Sequence, residues 1–168
     1  MIKEKEAKEL LAVVQNIDND LKRLGIYKKP DPVEKCLYDE LITNSRLRKK
    51  TEKLFKDGHH ARAVEEAFKL LDNVVKSKAE VVELDLTGAN LMNRAFSSNN
   101  PILKLNEGVS SSEKNEQMGY MQIFAGCMTG IRNPRAHDSD WEDTEQRALQ
   151  LLVLADHLIG RAYMAEKV

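Results

Sequence analysis

Paired cysteines, a signal peptide and long apolar runs are all missing from this sequence of 168 residues. Its two cysteines, Cys36 and Cys127, lie far apart and fit no CxxC pattern, which argues against a small disulfide-rich secreted protein. The first turns are charged, and no window approaches the length of a membrane span. We therefore expect a soluble, cytoplasmic protein with free thiols and no contact with membranes.

The sequence also has no excess of either charge, because 26 Lys and Arg face 27 Asp and Glu. Net charge therefore demands no polyanionic partner, and any contact with nucleic acid must come from a local patch. The densest positive run is RLRKKTEKLFK, from Arg46 to Lys56. It is either the solvated face of a helix or a patch that binds RNA phosphates.

Metal-ligand clusters are not recognisable either. His59 and His60 are adjacent, but no partners stand at ligand spacing, so a structural role at a helix entrance is favoured. His157 lies beside apolar positions of the last predicted helix, and we expect it to be structural. The sequence predicts no metal and no other cofactor.

Apolar residues recur at helical spacing in the first half of the chain. They predict an amphipathic helix from Lys3 to Leu24, with Gly25 as its stop. A second helix is expected to begin at the pair Asp31–Pro32 and to run on through Lys56. A third helix is predicted from His60 to Lys78.

The stretch from Glu83 to Ser112 is predicted to be a partly irregular excursion, with a short helix in TGANLMNRAF and an extended piece in PILKLN. A further helix is predicted to begin near Ser112 or Glu113. Its apolar stripe is Met118, Met121, Ala125 and Met128. Arg132 continues this stripe, so we expect it to project along a buried or interface side of the helix.

Pro134 disfavours helical geometry at Asn133 and is expected to end the helix there. Ser139 and Glu142 form a capping-box pattern that predicts the start of a last helix, against which Trp141 is expected to pack. The apolar residues of that helix are Ala148, Leu151, Leu152, Ala155, Leu158, Ile159 and Ala162. Because strands are nearly absent, the predicted fold is an all-α bundle of about four to five helices.

The segment GIRNPRAHD, from Gly130 to Asp138, gathers polar residues directly after an apolar run. Arg132 offers a fork of donors suited to phosphate, and His137 can exchange a proton near neutral pH. Together they are the minimum for metal-free cleavage of RNA, in which a base deprotonates the 2′-hydroxyl and a cation stabilises charge on phosphorus. One histidine leaves the leaving-group proton unassigned, so a symmetric dimer with two converging sites is expected.

Each of these residues also has a structural interpretation. Arg132 is then a cation that caps helix carbonyls, and His137 is a loop residue that hydrogen-bonds the start of the final helix. Arg135 is expected to be a solvent-facing or RNA-backbone cation rather than a catalyst.

The string RNPRAH, Arg132 to His137, resembles the R-x4-6-H motif of the HEPN superfamily. The blocks DGHHARAVEEAFK, LMNRAFS and GYMQIFAGCMTGIRNPRAHD resemble the Ymh-type family of bacterial proteins within it. The likeness covers roughly residues 51–160. It implies a HEPN-like helical domain at 51–168, preceded by an N-terminal helical extension at 1–50.

The resemblance further implies a homodimeric, metal-independent endoribonuclease of a toxin–antitoxin or phage-defence system, with RNA as substrate and a cognate antitoxin or defence protein as a possible partner. By position, Arg132 would bind the scissile phosphate, His137 would act as acid and base, and Asn133 would orient one of them. Arg135 would contact the substrate. The alternative is a non-catalytic HEPN-like module that binds RNA, nucleotide or a partner protein through this segment.

Overall fold

The computed structural model describes residues 37–81 and 86–168, and the chain from Leu37 to Val168 forms one compact unit. The helices described are α1 (Leu37–Leu41), α2 (Ser45–Lys56), α3 (His60–Ala79), α4 (Gly88–Ala95), α5 (Ser111–Cys127), a π-helical turn (Met128–Arg132), α6 (Asn133–His137) and α7 (Glu145–Met164). The strands β1 (Leu103–Lys104) and β2 (Glu166–Lys167) form a short antiparallel pair. The predicted all-α bundle is confirmed.

The core forms around α3 and α7, which pack against each other along their length. Of the apolar residues whose spacing predicted α3, Val64, Phe68, Leu71 and Val75 are buried and Ala61 is half-buried. The apolar residues named for the last predicted helix are buried in α7 apart from the half-buried Leu151. Helix α2 covers α3 on another side, whereas α5 packs mainly on α4. None of the helices described for this chain combines the length and apolar content that a membrane span requires.

The second predicted helix is not continuous, because residues 42–44 separate α1 from α2. The Asn44 side chain accepts hydrogen bonds from the backbone N–H groups of Arg46 and Leu47 and so caps α2. Asp156 of α7 accepts from the backbone N–H groups of Thr43 and Asn44. These contacts with a carboxylate distant in sequence stabilise the break between α1 and α2. The apolar periodicity of the sequence gives no indication of them.

Part of the N-terminal predictions lies outside the described residues. This holds for the helix from Lys3 to Leu24, the start at Asp31–Pro32, and Cys36. Of the predicted N-terminal extension, the structure therefore describes only the part from Leu37 onward. This part comprises α1 and the beginning of α2. The domain boundary at residue 50 stays a prediction.

The predicted excursion contains the expected short helix, α4, and the expected extended piece, β1. Buried Gln117 ties this excursion to α5, since its amide donates to the carbonyls of Phe96 and Leu103. Helix α5 begins at Ser111 with a capping box between Ser110 and Glu113. The sequence prediction placed this start one or two residues later.

The buried face of α5 differs from the predicted methionine stripe. It consists of Gln117, Phe124 and Cys127, and the Phe124 ring stacks on Phe96 with centroids 4.3 Å apart. Met128 is buried, but Met118 is 41% exposed. The stripe is therefore not the buried face of the helix, and its interpretation as an interface stays a prediction.

Candidate functional site

The RNPRAH segment continues the helix instead of ending it. After α5 the chain passes through a π-helical turn, in which the backbone N–H of Asn133 donates to the carbonyl of Met128, five residues earlier. Pro134 then occupies the first turn of α6, where a missing N–H is tolerated. The expectation that Pro134 ends the helix at Asn133 is therefore wrong, and such π turns are frequent at functional sites.

Helix α6 brings only part of the predicted site together on one side. Asn133 and His137 are four residues apart, so their side chains project from the same face one turn apart, and His137 is exposed. Arg132 precedes His137 by five residues, which places it roughly 140° away around a regular helix. Within one chain, Arg132 and His137 therefore point in different directions.

Arg132, Asn133 and His137 share a second property: within residues 37–81 and 86–168 their side chains make no hydrogen bond or ion pair. The Nε atom of half-buried Arg132 is shielded from solvent without a partner, and leaving a buried donor unpaired costs about 1–3 kcal/mol. Neither structural interpretation is observed among these residues: Arg132 caps no carbonyl, and His137 does not bond to α7. All three side chains are free to contact a ligand.

Arg135, in contrast, hydrogen-bonds within the fold through all three of its side-chain nitrogens. Its Nε and Nη2 donate to the two carboxylate oxygens of Asp143 at 2.6 and 2.7 Å, and Nη1 donates to the carbonyl of Ile131 at 2.6 Å. The side chains of Arg135 and Asp143 are 1% and 0% exposed. The expectation of a solvent-facing cation is wrong, because this buried ion pair clamps the loop after α6 onto the helix.

The same loop contains Trp141, whose ring lies 5.5 Å from the guanidinium of Arg135 and 5.8 Å from that of Arg147. Arg147 belongs to the first turn of α7, so the predicted packing of Trp141 against the last helix is confirmed. The predicted capping box is wrong: α7 begins at Glu145, and its N-cap is Thr144. Ser139 and Glu142 remain in the loop.

A cleft of about 580 Å³ lies between this loop and the start of α3. Its walls are residues of two segments, Gly58–Arg62 with Glu65, and Arg135 with Asp138, Ser139 and 141–143. His59 and His60 stand at the entrance of α3 as predicted. Arg132, Asn133 and His137 do not line the cleft. No group of three or more potential metal ligands occurs in the described part of the chain.

The other charged features are more ordinary. The basic face of α2 is partly neutralised, since Lys53 pairs with Asp57 and Lys56 with Asp39 and Glu52. Its interpretation as an RNA-binding patch stays a prediction.

His157 of α7 shares a hydrogen bond of 2.7 Å with the hydroxyl of Tyr120 on α5. This bond links two helices of the bundle. The structural role expected for His157 is consistent with it.

The outer face of α5 is small and apolar. It presents Gly119, Ile123 and Gly126 along one line of the helix, and Ile123 is 46% exposed. Gly130 follows in the π-helical turn. A Cβ added to any of these glycines would meet no atom within 4 Å. Each glycine inside a helix costs roughly 0.5–1 kcal/mol relative to alanine, and no contact within the described residues requires it.

Comparison with known proteins yields one relationship. A family model described as "Protein of unknown function (Hypoth_ymh)" matches residues 43–161, which include α2 and α3, the cleft and the RNPRAH segment. The chain matches no curated protein and no solved structure. Because the match spans more than half of the chain, this protein belongs to the Hypoth_ymh family.

Proposed function

We propose that this protein is a HEPN-type endoribonuclease that cleaves RNA without a metal ion, at a site shared by two subunits. One observation carries the proposal: Arg132, Asn133 and His137 are unpartnered within the described residues, although Arg135 between them is bonded through all three of its side-chain nitrogens. The fold leaves these three side chains unused. They are the ones that the R-x4-6-H motif assigns to RNA cleavage.

In the proposed reaction, the neutral imidazole of His137 takes the proton of a ribose 2′-hydroxyl. The 2′-oxygen then attacks the adjacent phosphorus, and the bond from phosphorus to the 5′-oxygen breaks. Arg132 stabilises the negative charge that develops on the phosphoryl oxygens. The products are a 2′,3′-cyclic phosphate and a 5′-hydroxyl, whose proton comes from a protonated histidine.

A second subunit would supply that histidine. Arg132 and His137 of one chain face different directions, so two copies related by a two-fold axis can place the arginine of one beside the histidine of the other. The outer face of α5 is followed by Gly130 in the π-helical turn, two residues before Arg132, and suits this contact because glycines let two helices approach closely.

The resemblance to HEPN proteins suggests a toxin–antitoxin or defence setting with a cognate partner. A non-catalytic module that binds RNA, nucleotide or protein is the alternative. One observation favours it: the cleft of 580 Å³ excludes Arg132 and His137.

The deciding experiment incubates purified protein with total RNA in excess EDTA. We expect cleavage that leaves 2′,3′-cyclic phosphates, and we expect Arg132→Ala and His137→Ala to lower the rate by ~10²–10⁴-fold. Arg94→Ala is the matched control, because that exposed arginine bonds, among the residues that the structure describes, only to the carbonyl of Asn100. RNA binding without cleavage by the native protein would support the non-catalytic module instead.

A further inference from the structure

The buried arginine inside the RNPRAH segment bonds to the chain on both sides of the residues assigned to catalysis. The Nη1 of Arg135 donates at 2.6 Å to the carbonyl of Ile131, which directly precedes Arg132. Its Nε and Nη2 donate to the two carboxylate oxygens of Asp143, in the loop that follows His137. One side chain therefore joins the residue just before the segment to the loop just after it.

Helix α6 is short enough to depend on such contacts. It has only five residues, Asn133–His137, and helices of this length are marginal without tertiary support. Pro134 has no N–H to donate to the preceding turn, and Arg135 supplies a side-chain donor to that turn. Helix α6 also contacts α3, but the bonds to Asp143 are what fix it against the loop that leads to α7.

The side chains of Arg132, Asn133 and His137 have no anchors of this kind. Among the residues that the structure describes, they form no hydrogen bond or ion pair. Their directions are therefore set largely by the backbone of the π-helical turn and α6, to which Arg135 is bonded. Misplacement of reacting groups by about 1 Å can cost roughly 100-fold in rate.

We propose that Arg135 is a positioning residue of the ribonuclease: its bonds to Ile131 and Asp143 hold the segment between them in the orientation that cleavage requires. Arg135 does not contact RNA itself, because its side chain is 1% exposed. This inference rests on the proposed function, which supplies the reaction for which the segment is held. A shared site makes the orientation more critical, since a tilt of α6 would displace His137 in both subunits.

Arg135→Lys tests the proposal, because lysine keeps the charge but cannot reproduce the planar fork of donors. Variant and native chain are compared in single-turnover cleavage of one RNA oligonucleotide in EDTA, at a temperature at which circular dichroism shows both to be folded. The rate at saturating protein should fall by roughly 10- to 100-fold, and the protein concentration that gives half-saturation should change by less than about threefold. A native rate at saturation would overturn the proposal.

Gln117→Ala is the matched control for a loss of stability alone. Gln117 is also buried, and its amide donates to two backbone carbonyls, but it lies about four helical turns before Arg132. The variant should have a lower urea midpoint and a native cleavage rate when folded. If Gln117→Ala slows cleavage as much as Arg135→Lys does, general stability explains both and the positioning role is refuted.

Asp143→Asn, alone and combined with Arg135→Lys, shows whether the two residues act as a unit. Both changes break the same ion pair, so the double variant should cleave about as slowly as the slower single variant. Rate losses that multiply would show that Arg135 does not act through Asp143.

Hydrogen exchange measured by mass spectrometry separates this inference from the ribonuclease. In Arg135→Lys, peptides that cover residues 128–138 should exchange faster than in the native chain, whereas peptides from α4 should keep the native rate. This result in a protein whose native chain cleaves no RNA refutes only the ribonuclease. Unchanged exchange over residues 128–138 in a protein that cleaves RNA refutes only the positioning role.

Discussion

Two arginines three residues apart, Arg132 and Arg135, should respond in opposite ways to the same substitution. Within the described residues, Arg135→Ala would leave the carboxylate of Asp143, which is 0% exposed, with only the longer contact of 3.5 Å to Arg147. Removing one partner of a buried ion pair costs roughly 3–5 kcal/mol. Arg132→Ala removes a side chain that makes no bond within the described residues, so its effect on the free energy of unfolding should stay below about 1 kcal/mol.

Urea denaturation followed by helical circular dichroism measures both effects. With a slope of about 2 kcal/mol per molar urea, the loss expected for Arg135→Ala lowers the midpoint by roughly 2 M. Arg135→Lys is an informative intermediate, because it retains the charge but cannot form the two parallel bonds to Asp143. Its midpoint should lie between those of the native protein and Arg135→Ala.

Equal destabilisation of the two alanine variants would contradict this expectation. In that case Arg132 has a structural role, and its loss of activity would not identify a catalytic residue. A loss below 1 kcal/mol for Arg135→Ala would instead show that the clamp on the loop contributes little.

Further predictions concern the α5 face, its first turn and its cysteine. Ile123→Glu should convert the proposed dimer into a monomer, as measured by light scattering, and a native chain that is itself monomeric at micromolar concentration would contradict the shared site. Ser110→Ala should lower the free energy of unfolding by about 1 kcal/mol, because it breaks the capping box of α5; an unchanged urea midpoint would contradict this. Burial raises the pKa of the Cys127 thiol from 9.0 to about 11. The folded state therefore disfavours the thiolate. The stability that comes from keeping the buried Cys127 thiol protonated is complete below pH 9 and is lost as the pH rises through about 11. In a Cys36→Ser variant at pH 8, Cys127 should react with DTNB only after unfolding, and rapid reaction of the folded protein would refute its burial. The rate of RNA cleavage should follow a bell-shaped pH profile, because one histidine must be neutral and the other protonated; a flat profile would contradict the acid–base roles.

The elements that the sequence predicted well are those defined by apolar periodicity. Helix α3 was predicted within one residue at its C-terminal end, since its buried positions follow the helical repeat from Ala63 to Val75. The buried residues of α7 follow the same rule. Periodicity reports burial against neighbouring helices, which is the interaction that forms both elements.

The failures share a different cause, namely polar contacts between distant segments. Ser110 and Ser139 both precede a glutamate by three residues, yet only Ser110 forms a capping box. The loop around Ser139 is held instead by the ion pair between Arg135 and Asp143. Neither this pair nor the contact of Asp156 with Asn44 leaves a local signal in the sequence.

The cleft could not be predicted for the same reason, because its walls come from residues 58–65 and 135–143. The motif itself was visible in the sequence, but its geometry was not. Helix propensities gave no sign that a π turn would carry the helix past Pro134. That turn continues the helix through Asn133 to His137.

In the proposed mechanism, the 2′-hydroxyl of RNA is the nucleophile. Once a cut has been mapped in a short RNA, the same oligonucleotide is made with a single 2′-deoxy substitution at the cut position and is incubated with the protein in EDTA. The proposed mechanism predicts no cleavage at that position, because the attacking oxygen is absent, and unchanged cleavage at other cut sites in the molecule. Cleavage that persists at the substituted position, or that appears only after a divalent metal is added, would contradict it.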